Sequence, residues 1–175
     1  MPDAREVECA AERWAIHELG AIRTRRALRT KWAKVDFFGS DVLAYTDTFA
    51  FALIQASKAT GREAEKRRGL ERLGGDSDAQ LREVWVNPQP DERRIFLKWE
   101  SRQHPDDGRR TIHEFHIQEL VEEQQARECD GLAFDGRSRR PMPGWVWADW
   151  VEPFQIPKNE GWYTAPDSPQ GGASV

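Results

Sequence analysis

Polar side chains stand at the ends of two consecutive apolar segments of the sequence. Asp41 begins the first segment, residues 41–45, and Gln55, Ser57 and Lys58 end the second. Side chains alternate along a strand, so Gln55 and Ser57 share one face and Lys58 lies on the other. If the two segments are neighbouring strands, Asp41 lies across from Gln55. The pattern predicts a small polar site at the rim of a buried sheet.

A carboxylate, an amide oxygen and a hydroxyl form a donor set that suits a hard cation. Mg²⁺ is usually held by one or two carboxylates, with waters and phosphate oxygens completing its shell. Glu12, or Glu8 one turn earlier, would supply a further carboxylate from the first helix. The chemistry expected of such a site is metal-assisted hydrolysis of a phosphodiester. The structural alternatives are that Asp41 only opens a strand and that Gln55 satisfies backbone groups at a strand end.

The net charge of −4 is unevenly distributed along the 175 residues. Between residues 20 and 34 the chain has six basic residues and no acidic one: Arg23, Arg25, Arg26, Arg29, Lys31 and Lys34. Local fields decide what a phosphate encounters, so this basic stretch predicts contact with the backbone of DNA. The alternative is an ordinary solvated surface. Residues 119–135 are strongly acidic and would serve, in a weaker interpretation, to dock a partner protein.

The order of the predicted elements indicates an α/β domain, with helices on the faces of one mixed β-sheet. Residues 4–19 have apolar side chains at helical spacing, and Gly20 is placed to end that helix. Helical patterns also cover 59–73 and 117–127. The strands expected from their apolar patterns are 41–45, 49–57, 82–87, 94–100 and an edge strand at 111–116.

The composition of the chain changes near residue 131. We expect one domain at 1–130 and a Trp/Pro-rich C-terminal extension at 131–175, whose last ~10 residues are flexible. Trp145 and Trp147 share one face of a predicted strand. Such large side chains in a late, proline-rich segment either pack back on the domain or contact a partner, which includes a second copy of the chain.

The sequence disfavours several classes of protein. No apolar run approaches the roughly 18 residues of a membrane span, and the first residues lack a secretory signal, so a cytoplasmic protein is expected. Cys9 and Cys129 are too few for a disulfide framework and are interpreted as ordinary thiols. His113 and His116 would point to opposite faces of a strand, which argues against zinc.

Four segments together resemble the PD-(D/E)XK nuclease superfamily, and most closely its phage and bacterial members related to Holliday junction resolvases. The segments are 13–20, 34–44, 53–57 and 83–85. The resemblance covers about residues 8–120 and implies a restriction-endonuclease-like sheet within the 1–130 domain. In that superfamily a helix glutamate, an aspartate that opens a strand and an acid-x-lysine on the next strand bind Mg²⁺ and cut DNA.

The resemblance assigns roles to particular residues. Asp41 matches the strand aspartate, Gln55 the acid, Ser57 the lysine, and Glu12 the helix glutamate. Glutamine removes one negative charge from the implied metal site, and serine removes the cation that assists water or phosphate. Lys58 offers an amine at the next position, although strand alternation places it on the other face unless a bulge turns it.

Two functions follow from this resemblance. The first is a DNA-binding, Mg²⁺-dependent endonuclease of the resolvase type, in which Asp41, Gln55 and Glu12 bind the metal while Ser57 or Lys58 orients water or phosphate. The second is a nuclease fold without catalysis, which serves as a DNA-binding or assembly module, for example as a phage component located in the virion.

Overall fold

The computed structural model describes residues 2–29, 34–35, 40–49, 51–58, 91–136, 142–158 and 160–166. The predicted helix 59–73 and the predicted strand 82–87 lie outside these ranges. Within them the chain forms an eight-stranded sheet, a separate pair of short strands, two α-helices and a 3-10 turn at Glu160–Tyr163. Neither of these helices is long and apolar enough to cross a membrane.

Helix α1 (Ala4–Glu18) begins at a capping box. The Asp3 carboxylate accepts a hydrogen bond from the Glu6 N–H at 2.8 Å, and the Glu6 carboxylate accepts one from the Asp3 N–H at 2.6 Å. After Leu19, Gly20 adopts a φ of +65° and lets the chain leave the helix. The predicted helix 4–19 is thus confirmed to within one residue. Its buried face carries Val7, Ala10, Ala11, Trp14 and Ala15.

The main sheet is mixed and mostly antiparallel. Its strands are β1 (Arg23–Arg26), β4 (Val42–Tyr45), β5 (Phe51–Lys58), β6 (Glu92–His104), β7 (Asp107–Glu122), β8 (Leu132–Ala133), β9 (Trp145–Trp150) and β10 (Phe154–Gln155). Two short strands, β2 (Leu28–Arg29) and β3 (Lys34–Val35), pair with each other. The strand order is β1-β4-β5-β6-β7-β9-β8, and β10 also pairs with β7. Only the β5 and β6 pairing is parallel. The predicted α/β class with a mixed sheet is confirmed.

Helix α1 covers one face of this sheet. Side chains at alternate strand positions meet the helix and form the main core, including Val42, Ala44, Ile54, Leu97 and Phe115. The opposite face carries the intervening residues. There Leu53 and Phe96 form a smaller apolar cluster with Leu43, Phe51 and Trp147. Phe96 is buried in this smaller cluster, and Trp99 and Phe115 are buried in the main core.

Strand β7 corrects the predicted chain path. We expected an edge strand at 111–116 and a helix at 117–127, but β7 continues to Glu122 and lies between β6 and the strands β9 and β10. The helix is shorter than expected, as α2 (Glu123–Glu128). One acidic residue of the predicted helix, Glu119, is buried in the structure and has a basic partner. Arg93 donates to both carboxylate oxygens of Glu119, at 2.6 and 2.8 Å.

The described part of residues 131–175 takes part in the same sheet and core. Strands β9 and β8 extend the sheet beyond β7, and β10 pairs with β7 as well. The ring of Trp150 packs on Trp14 of α1, with the centroids 5.8 Å apart. Ile156 and Trp162 join the main core cluster. Of the two alternatives for the late tryptophans, packing back on the domain is therefore observed for Trp150 and Trp162.

His113 lies where the end of the described chain packs on the sheet. Its imidazole stacks on the ring of Trp99 with centroids 5.1 Å apart, and it meets the edge of the Tyr163 ring at 6.3 Å. Its Nδ1 is buried and has no hydrogen-bond partner among the residues that the structure describes. Burial lowers the pKa of His113, and nearby positive charge, including that of Lys158, lowers it further. This position favours a neutral imidazole.

Acidification should therefore reduce the free energy of unfolding through His113. Because its pKa is lower in the folded protein, the stabilisation is complete above the unfolded value of about 6.5 and is lost as the pH falls through the folded value. His113→Phe keeps an aromatic ring and should weaken the pH dependence measured by urea unfolding between about pH 7.5 and about pH 5.5. His17→Phe is the matched control, since the His17 side chain is 68% exposed. Equal pH dependence in both variants would contradict this assignment.

Candidate functional site

Asp41 joins three strands of the sheet through its backbone. It lies directly before β4, and its N–H donates to the carbonyl oxygen of Ile54 in β5 at 2.9 Å. Its own carbonyl oxygen accepts from the N–H of Ala27, just after β1, at 2.7 Å. The register pairs Val42 with Ile54, which places residue 41 opposite Gln55. The backbone thereby fixes where the Asp41 side chain begins.

The carboxylate of Asp41 is buried and bonded to the neighbouring strand. The residue is only 1% exposed. Its Oδ2 accepts a hydrogen bond from Nε2 of Gln55 at 2.6 Å and another from the backbone N–H of Ala56 at 2.9 Å. The structure thus brings Asp41 and Gln55 together. The Ala56 N–H was not foreseen from the sequence, since backbone donors leave no signal in residue types.

The amide group of Gln55 is oriented by its partner. An ionised carboxylate only accepts hydrogen bonds, so the NH₂ group of Gln55 faces Asp41, and its carbonyl oxygen is directed elsewhere. A cation bound by both residues would lie between Oδ2 and the Gln55 side chain, and the Gln55 N–H occupies that position. Mg²⁺ requires oxygen atoms directed towards it. As arranged here, Asp41 and Gln55 do not fit Mg²⁺.

Glu12 approaches the sheet from the α1 side. Its carboxylate accepts from the Thr24 hydroxyl at 2.7 Å, and Oε2 lies 2.7 Å from Nε of Arg26. The register pairs Thr24 with Ala44 in the main core, whereas Gln55 belongs to the alternate set of residues. Glu12 therefore stabilises the contact between α1 and β1. The buried Glu8 lies on the same helix.

Arg26 also contacts a thiol. Its Nη1 donates to Sγ of Cys9 at 2.9 Å. Burial raises the pKa of Cys9, and the positive charge of Arg26 opposes that shift. Cys9 is thus a buried, unreactive thiol, and Cys129 is a free, exposed one. Over the residues that the structure describes, no three His, Cys, Asp or Glu side chains converge in a way that would hold a metal.

The predicted DNA-binding residues fall into three groups. Arg23 and Arg25 are exposed on β1. Arg26 is turned towards α1, where its side chain is 22% exposed and paired with Glu12. The side chain of Arg29, in β2, and all of Lys31 lie outside the described residues.

Ser57 and Lys58 end β5. In the parallel register they pair with Lys98 and Trp99 of β6. Their side chains lie outside the part of the chain that the structure describes. Their predicted roles towards water or phosphate therefore remain predictions.

A second polar cluster, not foreseen from the sequence, lies on the face that carries Gln55. The buried Glu114 accepts from Nε of Arg102 at 3.0 Å and lies 3.0 Å from Nε2 of His116. Lys98 forms an ion pair with Glu100. Period-two alternation in β6 and β7 was the available signal. Positive and negative charges are matched within this cluster, so it offers little net charge to a ligand.

The Asp41–Gln55 contact predicts the effect of restoring an acid. Gln55→Glu should lower the free energy of unfolding by about 1–3 kcal/mol without metal, because Asp41 loses a donor and faces a second carboxylate. Mg²⁺ should restore part of this loss, because a cation can then lie between the two acids. Urea unfolding in EDTA and in Mg²⁺ measures both effects.

The matched control is Gln118→Glu. It makes the same change where the Gln118 amide donates to Asp149 at 3.2 Å on a more exposed part of the same face. Its destabilisation should be smaller, because water screens the two charges. A wild-type protein that Mg²⁺ stabilises as strongly as Gln55→Glu would contradict the arrangement described for Gln55.

No family model matches this chain, and neither a curated protein nor a solved structure was found that matches it. The resemblance to PD-(D/E)XK nucleases therefore rests on residues of this chain alone. Those within the described ranges are α1 with Glu12, Asp41 before β4, and Gln55 in β5. What the protein does has to be inferred from these residues and their surroundings.

Proposed function

We propose that this protein binds DNA and that the position of a nuclease metal beside Asp41 is taken by the Gln55 amide. The observation that carries the second part is the 2.6 Å hydrogen bond from Gln55 Nε2 to Asp41 Oδ2. This hydrogen bond and the one from the Ala56 N–H both reach Oδ2, so the buried carboxylate has two donors on β5. The protein is then a nuclease-like sheet used for binding instead of cleavage.

The arginines of β1 support the DNA-binding part of the proposal. Arg23 and Arg25 are exposed, and neither has an ion-pair partner among the described residues. Residues two apart on a strand project from the same face about 7 Å from each other. Two unpaired cations so arranged attract the phosphates of one nucleic-acid strand. Arg26 contributes less to this field, because Glu12 neutralises it.

A Mg²⁺-dependent endonuclease is the second candidate function. The observation that favours it is the contact between Asp41 and Gln55 itself, because the resemblance implies an aspartate and an acid-position residue side by side on neighbouring strands. Reversal of the Gln55 amide would turn its oxygen towards Asp41. Such a reversal is unfavourable unless a cation separates the two oxygens.

DNA binding should depend steeply on salt through β1. Each neutralised phosphate of duplex DNA contributes roughly 0.9 to the slope of log affinity against log salt, so Arg23→Ala with Arg25→Ala should reduce that slope by about 2. Fluorescence anisotropy over a salt series measures it. The charge-matched control is Arg109→Ala with Arg110→Ala, two exposed arginines near the β6–β7 turn. Equal loss of affinity in both double variants would contradict a specific role for β1.

The two candidate functions predict different outcomes with Mg²⁺ or Mn²⁺. Under the favoured proposal, the wild-type protein leaves four-way junction, duplex and single-stranded DNA uncut. Gel electrophoresis of labelled substrates is the measurement, with Asp41→Ala as the control for contaminating nucleases. Cutting by the wild type that disappears in Asp41→Ala would replace the favoured proposal with the endonuclease.

A further inference from the structure

An aromatic side chain is exposed at one end of the sheet. In the described part of the chain the exposed large hydrophobic residues are Ile16, Ile22, Tyr45 and Val151. Ile22 is 68% and Tyr45 is 38% exposed, and the N–H of Ile22 donates to the carbonyl oxygen of Tyr45 at 2.9 Å. Exposed single hydrophobes need no explanation, but an exposed aromatic ring beside exposed arginines does.

The register places Tyr45 beside these arginines. Arg23 of β1 pairs directly with Tyr45 of β4, and Arg25 pairs with Leu43. Directly paired side chains project from the same face, with Cβ atoms about 5 Å apart. The core does not require an aromatic ring here, because Val42 and Ala44 fill it from the other face of β4. Tyr45 thus presents its ring to solvent next to a cation.

The charge at this end of the sheet favours a polyanion. Asp47, in the turn after β4, is the one acidic residue between 40 and 49 besides Asp41. Asp41 is buried and hydrogen-bonded, so on β1 and in residues 40–49 the two exposed arginines, Arg23 and Arg25, outnumber the one exposed acid, Asp47. Among the described strands β1 lies at one end of the sheet, and its charged side chains oppose pairing with a strand of a second protein.

We infer that Tyr45 is a stacking platform for an unpaired base, held between phosphates that Arg23 and Arg25 contact. The inference rests on the proposed DNA binding and names its substrate class, single-stranded DNA. An exposed aromatic ring next to cations binds single strands without sequence preference, because every base has a face on which it can stack. In a duplex, both faces of an internal base are already covered by its neighbours. The ring therefore distinguishes the two forms, whereas the arginines do not.

The test compares a fluorescein-labelled oligothymidylate with a labelled duplex of equal length by anisotropy. Tyr45→Ala should weaken single-strand binding about 5-fold to 150-fold, the range expected for loss of one base–aromatic stack. It should change duplex binding less than about twofold, and Tyr45→Phe should retain single-strand affinity. Val151→Ala removes an apolar side chain elsewhere that is more exposed than Tyr45, and it should have no effect. Thermal unfolding of each variant checks that it is folded.

The possible outcomes test the Tyr45 stacking platform and the proposed DNA binding separately. A loss confined to the single strand and to Tyr45→Ala supports the stacking platform. Unchanged single-strand affinity in Tyr45→Ala, or equal losses on both ligands, overturns the platform and leaves DNA binding through the arginines intact. A wild-type protein that binds neither ligand at low salt overturns both.

Discussion

A carboxylate removed from water must find hydrogen-bond donors, and Asp41 finds them on the neighbouring strand. The Gln55 amide and the Ala56 N–H both reach Oδ2. The backbone of the same residue bonds to Ile54 on one side and to Ala27 on the other. Since β1, β4 and β5 are joined at this point, the placement of the exposed β1 arginines and of Tyr45 depends on it. A change at Asp41 would affect the sheet edge as well as any chemistry there.

Helix α1 holds the same edge from its other face. Glu12 accepts a hydrogen bond from Thr24 and forms an ion pair with Arg26, and Arg26 extends to Cys9. The position that the resemblance assigns to a metal-binding glutamate is therefore occupied by a contact between helix and strand. Polar residues on both faces of β1 serve different ends. One set fixes the strand in place, and the other set, Arg23 and Arg25, is exposed.

Sequence patterns predict well those elements that are determined by residues within the element itself. Helix α1 carries its cap and its glycine end within its own residues, and β4 and β5 show their apolar patterns directly. Strand β7 was mispredicted because Glu119 is buried by Arg93, 26 residues earlier in the chain. From the sequence alone Arg26 is likewise expected to be a surface cation, but in the structure it is paired with Glu12. Partners distant in sequence decide such cases.

The orientation of the Gln55 amide likewise cannot be predicted from the residue types alone. Residue types place an amide beside Asp41, but an amide carries both a donor and an acceptor. With its NH₂ turned to the carboxylate, the pair holds one negative charge that two N–H groups can satisfy. With an acid in its place, the pair would hold two charges and require a cation. The NH₂ group next to Asp41 therefore donates a hydrogen bond, whereas an oxygen atom in its place would require a metal. Without a metal, cationic side chains are the strongest contacts available to phosphates, which is why the exposed arginines of β1 carry the proposed function.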